Sequence, residues 1–240
     1  MAARDLLVVR YGRRPWTELL AVQRAAARAR IEGTLANDLL ILCEHPPVIT
    51  LGRAFKKANL TASQALLDAR GVEVHEAERG GDVTFHGPGQ LVGYPIVDLQ
   101  VHKPDLHWYL RMLEEACIRV CDSFGIEAGR QKGQTGVWVE GRKIASIGVH
   151  ARQWVTWHGF ALNVTTDLSF FDLMVPCGIP DVRMTSIAAE LVARGEPVAD
   201  SITREVEDAT IGVMSEILDL APDELSPEAL GLFLTPLLPP

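Results

Sequence analysis

The chain has 240 residues, 48% hydrophobic and 22% charged, with four cysteines and a formal net charge of −8. That apolar content excludes whole-chain disorder, and a chain of this length buries enough surface to fold without disulfide or metal staples. The acidic total argues against a sequence-independent nucleic-acid binder, which needs a basic stripe.

Read in chain order, residues 5–11 predict a strand, and Pro15 sits where a helix can start. Trp16–Glu32 predicts an amphipathic helix with a basic outer face. Asp38–Cys43 and Val48–Leu51 predict two short strands around His45-Pro46-Pro47. Ala62–Ala69 predicts a short helix capped by Thr61, and Val72–His75 another strand. Residues 79–95 interleave five Gly and two Pro with strand formers. Leu106–Phe124 predicts a long helix stopped by Gly125. Val137–Glu140 and Lys143–Arg152 predict a hairpin around Gly141-Arg142, and Val155–Val164 a further strand. Val175–Ile179 is a Pro/Cys/Gly loop. Thr185–Ala193 and Ile202–Leu218 predict helices. The clustered strands, broken by helices, predict an α+β domain over residues 1–220. Residues 221–240 predict a Pro/Leu-rich tail that wraps the surface or frays.

Charge is unevenly spread. Residues 1–60 carry ten Lys/Arg and five Asp/Glu, whereas residues 186–240 carry two and eleven. Either the two ends fold together and neutralise, or the basic part receives a partner. No CxxC pair, secretory leader or membrane-length apolar run is present, which favours a reducing, cytoplasmic compartment.

Several residues can carry chemistry. Cys177 lies between Pro176 and Gly178, in a loop able to present sulfur to a substrate; the alternative is a buried, inert thiol. Cys117 and Cys121 share a helix face with Leu113 and Phe124, and Cys43 lies in an apolar strand, so these three read as core. Strand alternation puts Lys143 with Ala145, Ile147 and Val149, and Ser146, Gly148 and His150 on the other face. Lys143 is either an edge charge or a desolvated amine, and spacing alone favours the edge charge. Arg79–Gln90 is a glycine-rich loop without a nucleotide fingerprint; its Arg79, His86 and Gln90 suggest contact with a ligand. His158 reads as a satisfied strand histidine. The histidines offer no HxH or HExxH spacing, so no metal is expected, and no GxSxG supports a serine hydrolase.

The joint pattern resembles the lipoyl(octanoyl) transferase family. The matching stretches are EHPPVITLGR (44–53), RGGDVTFHGPGQLVGYPIVDL (79–99), GVWVEGRKIASIGVH (136–150), WVTWHGFALNV (154–164), FDLMVPCGI (171–179) and TSIAAEL (185–191). Phe85 stands where the family usually has Tyr, and His150 where Arg is common. The resemblance implies a single α+β domain of the biotin and lipoate protein ligase catalytic type, with a mixed, mostly antiparallel sheet packed by helices. It implies that Cys177 is the acyl-accepting nucleophile and Lys143 the lysine that favours its thiolate. Arg79, Gly80, Gly81, Asp82, Val83, Thr84, Phe85 and His86 match the acyl pocket, as do Ser146, Ile147 and Gly148 and Gly159, Phe160 and Ala161. The implied donor is octanoyl-acyl carrier protein. The implied acceptors are lipoyl domains of 2-oxoacid dehydrogenases and the glycine cleavage H protein, with no cofactor or ATP. The rival readings are an ATP-dependent ligase on the same fold, a non-catalytic carrier-binding protein, and a thiol hydrolase. For the hydrolase no Cys–His–Asn/Asp pattern is evident.

Overall fold

The structure is a computed structural model that describes residues 5–179 and 182–235. Strand β1 (Asp5–Arg13) leads through Pro15 into helix α1 (Trp16–Ile31). Strands β2 (Asp38–Glu44) and β3 (Val48–Leu51) flank His45-Pro46-Pro47 but enter different sheets. Helix α2 (Gln64–Ala69) is capped by Ser63, whose hydroxyl accepts the Leu66 N–H at 3.3 Å. The predicted cap, Thr61, is engaged elsewhere: its N–H and that of Ala62 donate to Leu173 O at 3.2 and 3.0 Å.

Strands β4 (Glu73–Glu76), β5 (Val83–His86) and β6 (Gln90–Ile96) follow, then helix α3 (Leu106–Asp122). The Asp105 carboxylate caps α3 by accepting the His107 and Trp108 N–H groups at 2.9 and 3.0 Å. Next come β7 (Gly129–Gln131), β8 (Gln134–Val139), β9 (Arg142–Arg152) and β10 (Val155–Asn163). The chain closes with β11 (Arg183–Met184), α4 (Ile187–Ala193), α5 (Ile202–Leu218), β12 (Ala221–Leu225) and α6 (Pro227–Leu234).

Nine strands form the large sheet, in the order β12-β1-β2-β6-β10-β9-β8-β7 with β11 added beside β9. The β12, β1 and β2 neighbours run parallel, as do β11 and β9; the other pairs are antiparallel. Helices α3 and α5 bury Leu113, Val120, Val206 and Met214 in one core, while α1 and α6 contribute Leu19, Ala26, Leu230 and Leu234 to another. A small sheet, β4-β3-β5, packs its own core around Ile49, Phe85 and Phe171. No helix among the described residues is long and apolar enough to cross a membrane.

The expected boundary after residue 220 does not separate a tail from the domain. Residues Ala221–Leu225 pair in register with Asp5–Val9. Leu230 and Leu234 of α6 are each 1% exposed; burial of a leucine contributes roughly 1.5–3 kcal/mol, enough to hold so short a helix. Residues 236–240 of that predicted tail lie outside the described residues. The chain ends are also joined by charge: Arg10 on β1 pairs with Glu207, Asp208 and Glu224 at 2.7, 2.6 and 3.2 Å. Part of the sequence's charge polarity is therefore neutralised within the fold.

Candidate active site

Cys177 occupies a single 3₁₀ turn, Pro176–Gly178, with φ +56° and ψ +17°. The left-handed region is unfavourable for a residue with a Cβ, at a cost of order 1–3 kcal/mol. A clamp maintains it. The Asp82 carboxylate accepts from Asn59 Nδ2 at 2.6 Å and from the Val83 N–H at 2.8 Å, and Asn59 O accepts the Val175 N–H at 2.7 Å. Gly178 is required at this closest approach: a Cβ there would lie 2.6 Å from Asp82 Oδ2 and 2.9 Å from Asn59 Nδ2. The loop thus holds its sulfur partly exposed while its backbone is pinned.

Lys143 lies opposite. Its ammonium is 3.1 Å from Cys177 Sγ and donates to Thr135 O at 3.1 Å. It also sits 5.3 Å from the centroid of the Trp138 ring, a cation–π arrangement. Lys143 is 1% exposed, so it is the desolvated amine and not the edge charge that spacing favours. Strict alternation also fails at this point. The β8–β9 register shifts between Val137 and Trp138: Trp138 faces Lys143 but Val137 faces Ala145, leaving Ile144 as an extra residue. The bulge changes the phase of the strand. Lys143 consequently joins Ser146, whose Oγ is 3.9 Å from the same sulfur.

The pair opens on a cavity of about 280 Å³. From the glycine-rich loop, Arg79, Gly81, Asp82, Val83, Thr84 and His86 line it. Ser146, Ile147 and Gly148 line it from β9, and Gly159, Phe160 and Ala161 from β10. Two expected pocket residues do not. Phe85 points to the opposite face of β5, where its ring stacks on Phe170 at 4.7 Å and meets Phe171 edge-on. Gly80 is a backbone joint, its N–H donating to Val149 O at 2.9 Å.

The Arg79 guanidinium is buried and donates to Thr50 O, Thr50 Oγ1 and Gly80 O. Burial lowers its pKa to about 10, with Cys177, Tyr94 and Asp82 pulling the other way, so it remains a cation at neutral pH. His86 Nδ1 lies 2.8 Å from Gln90 Oε1; Gln90 in turn donates to Asn163 Oδ1, and Asn163 to Thr185 O. The Thr185 N–H donates to Lys143 O at 2.9 Å. A buried polar chain thus joins the cavity wall to the backbone of Lys143. Burial lowers His86 to about 3, and the nearby His45 to about 4, so both imidazoles are neutral.

Sequence reasoning missed other parts of the wall. Trp16, Val92, Tyr94 and Ile179 line the cavity, as do Gly133, Gln134 and Thr135. The signal for the last three was present in the run immediately before GVWVEGRK. His158 is core but not the satisfied histidine expected: its Nε2 is buried without a hydrogen-bond partner among the described residues, it lines the cavity, and its φ of +58° departs from an ordinary strand. Cys43, Cys117 and Cys121 are buried thiols whose pKa values burial pushes up.

Known proteins resemble this chain in sequence and in fold. The family model of the lipoyl protein ligase A/B catalytic domain matches residues 15–207. The chain is 50% identical over 200 residues to a protein of Acidobacterium capsulatum named octanoyltransferase, covering 78% of this chain and 81% of that one. An octanoyltransferase of Geobacter metallireducens is 49% identical, with 83% and 87% covered. Among solved structures, a lipoate-protein ligase A bound with ATP superposes with a TM-score of 0.73 at 19% identity, covering 99% of this chain and 94% of that one. A Leishmania major biotin protein ligase in complex with biotin gives 0.53 at 10% identity, over 97% and 81%. These likenesses show the fold; the closer sequence relatives show that the chain belongs to the lipoyl protein ligase A/B catalytic-domain family, among its octanoyltransferases.

Proposed function

We propose that the protein transfers an octanoyl group from octanoyl-acyl carrier protein, through a thioester on Cys177, to a lysine of a lipoyl domain. The acceptors are the lipoyl domains of 2-oxoacid dehydrogenases and the glycine cleavage H protein. The observation that carries this reading is the 3.1 Å approach of a buried ammonium to a partly exposed sulfur at the mouth of a largely apolar cavity. The four free thiols fit a reducing cytoplasm.

The chemistry follows from these two residues. The Lys143 ammonium favours the Cys177 thiolate by charge and hydrogen bonding. The thiolate attacks the donor's thioester carbonyl, and the oxyanion forms beside the same ammonium. As the carbon–sulfur bond to the carrier arm breaks, Lys143 gives that sulfur its proton, and the carrier leaves as a thiol. Lys143 is now a neutral amine. The acceptor lysine, which must enter neutral, attacks the acyl-Cys177 carbonyl; Lys143 takes the amine's proton while the thiolate departs. An amide has replaced a thioester, which drives the second half without ATP. The resting pair is restored.

The apolar stretch formed by Val83, Val92, Ile147 and Phe160 suits an alkyl chain. The test is intact mass after mixing with octanoyl carrier protein: an octanoyl adduct should appear in the parent and be absent from Cys177→Ser. Transfer that proceeds only with ATP would instead favour a ligase.

A further inference from the structure

The buried face of α3 is apolar at Met112, Leu113, Ala116, Cys117, Val120 and Cys121, yet Glu114 on the same helix is 0% exposed. A carboxylate in that setting is costly to desolvate, and an apolar side chain would satisfy the packing. Its two oxygens have different partners. Oε2 accepts from Arg111 Nη1 at 2.5 Å and Arg130 Nε at 3.0 Å, which offsets the buried charge. Oε1 accepts the backbone N–H of Gly136 at 3.2 Å.

Gly136 lies under the catalytic lysine. Its φ is +132°, and a Cβ there would lie 2.6 Å from Lys143 Cε and 3.1 Å from Lys143 Nζ. The preceding residue, Thr135, supplies the carbonyl that accepts from the ammonium. The segment Thr135–Gly136 therefore does two things for Lys143: it leaves room for the side chain and it fixes the ammonium's direction. A lysine has four side-chain torsions to order, and the register shift between Val137 and Trp138 interrupts the ladder beside it. A buried carboxylate tied to the Gly136 N–H supplies the missing constraint.

We infer that Glu114 is a positioning residue of the Cys177–Lys143 pair: through Gly136 it holds the Thr135 carbonyl, and with it the Lys143 ammonium, in reach of the sulfur. This rests on the Cys177–Lys143 reading, and the test separates the two. The measurements are the pH dependence of Cys177 alkylation by iodoacetamide in the full chain, and kcat and KM for octanoyl carrier protein.

Glu114→Asp keeps the charge near the arginines but is one methylene too short to reach Gly136. Its kcat should fall about 10–100-fold, as expected for misplacement of a reacting group by about 1 Å, with KM within about two-fold, and its alkylation profile should move toward that of Lys143→Ala. Glu114→Gln leaves one acceptor oxygen for three donors; the oxygen stays with the two guanidiniums and the amide NH2 faces the Gly136 N–H, so its profile should move as far as that of Glu114→Asp. A role limited to pairing the arginines leaves both profiles parental. A folded Glu114→Asp or a folded Glu114→Gln with the parental profile overturns the inference. Arg130→Met removes a charge partner but not the bond to Gly136, so a shifted profile there also overturns it, whether or not Glu114→Asp folds. If Lys143→Ala itself leaves the profile unchanged, the failure lies with the Cys177–Lys143 reading; if Lys143→Ala shifts it and Glu114→Asp does not, only the role of Glu114 fails.

Discussion

Two buried histidines should make this protein lose stability in mild acid, in a pH range where its carboxylates do not contribute. Burial lowers His45 from 6.5 to about 4 and His86 from 6.5 to about 3. Both are folded-state values below the unfolded one, so between them the unfolded chain binds more protons and stability falls with falling pH. At pH 5 the unfolded histidine is mostly protonated while the folded one is neutral, worth about 2 kcal/mol for each. At pH 7 the same difference is negligible for each. The pair should therefore lower unfolding free energy by about 3–4 kcal/mol from pH 7 to pH 5, a large part of a typical 5–15 kcal/mol. Buried His158 is also lowered by burial and adds to the loss. Asp38 and Glu78 work elsewhere. Burial alone would raise them, but hydrogen bonds from His102 and the Asp98 N–H and the Arg30 charge hold Asp38, and hydrogen bonds from Arg24 and Trp157 hold Glu78, below the ordinary carboxylate range. Their contribution is present above the unfolded carboxylate value and is lost only below about pH 4. The assay is urea unfolding at pH 7 and pH 5 for the parent, His45→Gln, His86→Gln and the double variant. Each single variant should remove about half of the pH-dependent difference. Equal stability at both pH values, or a double variant that keeps the full difference, would refute the reasoning.

Other outcomes follow from the site. Gly178→Ala should lower kcat by at least about 10-fold, because its Cβ would meet Asp82 Oδ2 at 2.6 Å and move the Cys177 turn; steady-state kinetics with the octanoyl donor checks this. Lys143→Met should abolish formation of the octanoyl adduct on the timescale of the parent reaction, leaving the thiol without its ammonium at 3.1 Å; rapid-quench mass measurement reads it. Charge reversal of Lys56 and Lys57 should raise KM for acidic carrier protein several-fold at low salt, with the effect fading as salt rises. Of the basic residues in the first quarter, Arg13, Arg14 and Arg24 are already paired with Glu44, Glu18 and Glu78. Arg53, Lys56 and Lys57 have no ion pair among the described residues and belong to the loop beside Asp82 and the Cys177 turn. An unchanged KM at low salt would remove this loop as the dock.

Much of the molecule was legible because its determinants are local. Apolar periodicity marks α1, Gly125 marks the end of α3, and Gly141 marks the β8–β9 hairpin. Pro176 and Gly178 single out Cys177 as a loop thiol from three cysteines in apolar periodic segments. The joint motifs identify the family, and the resemblance implies the pairing of Cys177 with Lys143. Spacing alone had preferred an edge charge for Lys143, because alternation assumes an unbroken ladder.

Only the tertiary structure decided the rest, and in each case the deciding contact is between residues far apart in sequence. The bulge at Ile144 puts Lys143 beside Ser146, and both beside a sulfur more than thirty residues away. Entry of β5 into the second sheet turns Phe85 away from the cavity that Thr84 and His86 line. The bond from Glu114 to Gly136 spans 22 residues, and the Arg10 cluster and the β1–β12 pairing join opposite ends of the chain. Local sequence sets which backbone shapes are cheap and which faces are apolar. Which strands become neighbours, and which buried charges find partners, depends on the packing of the whole chain.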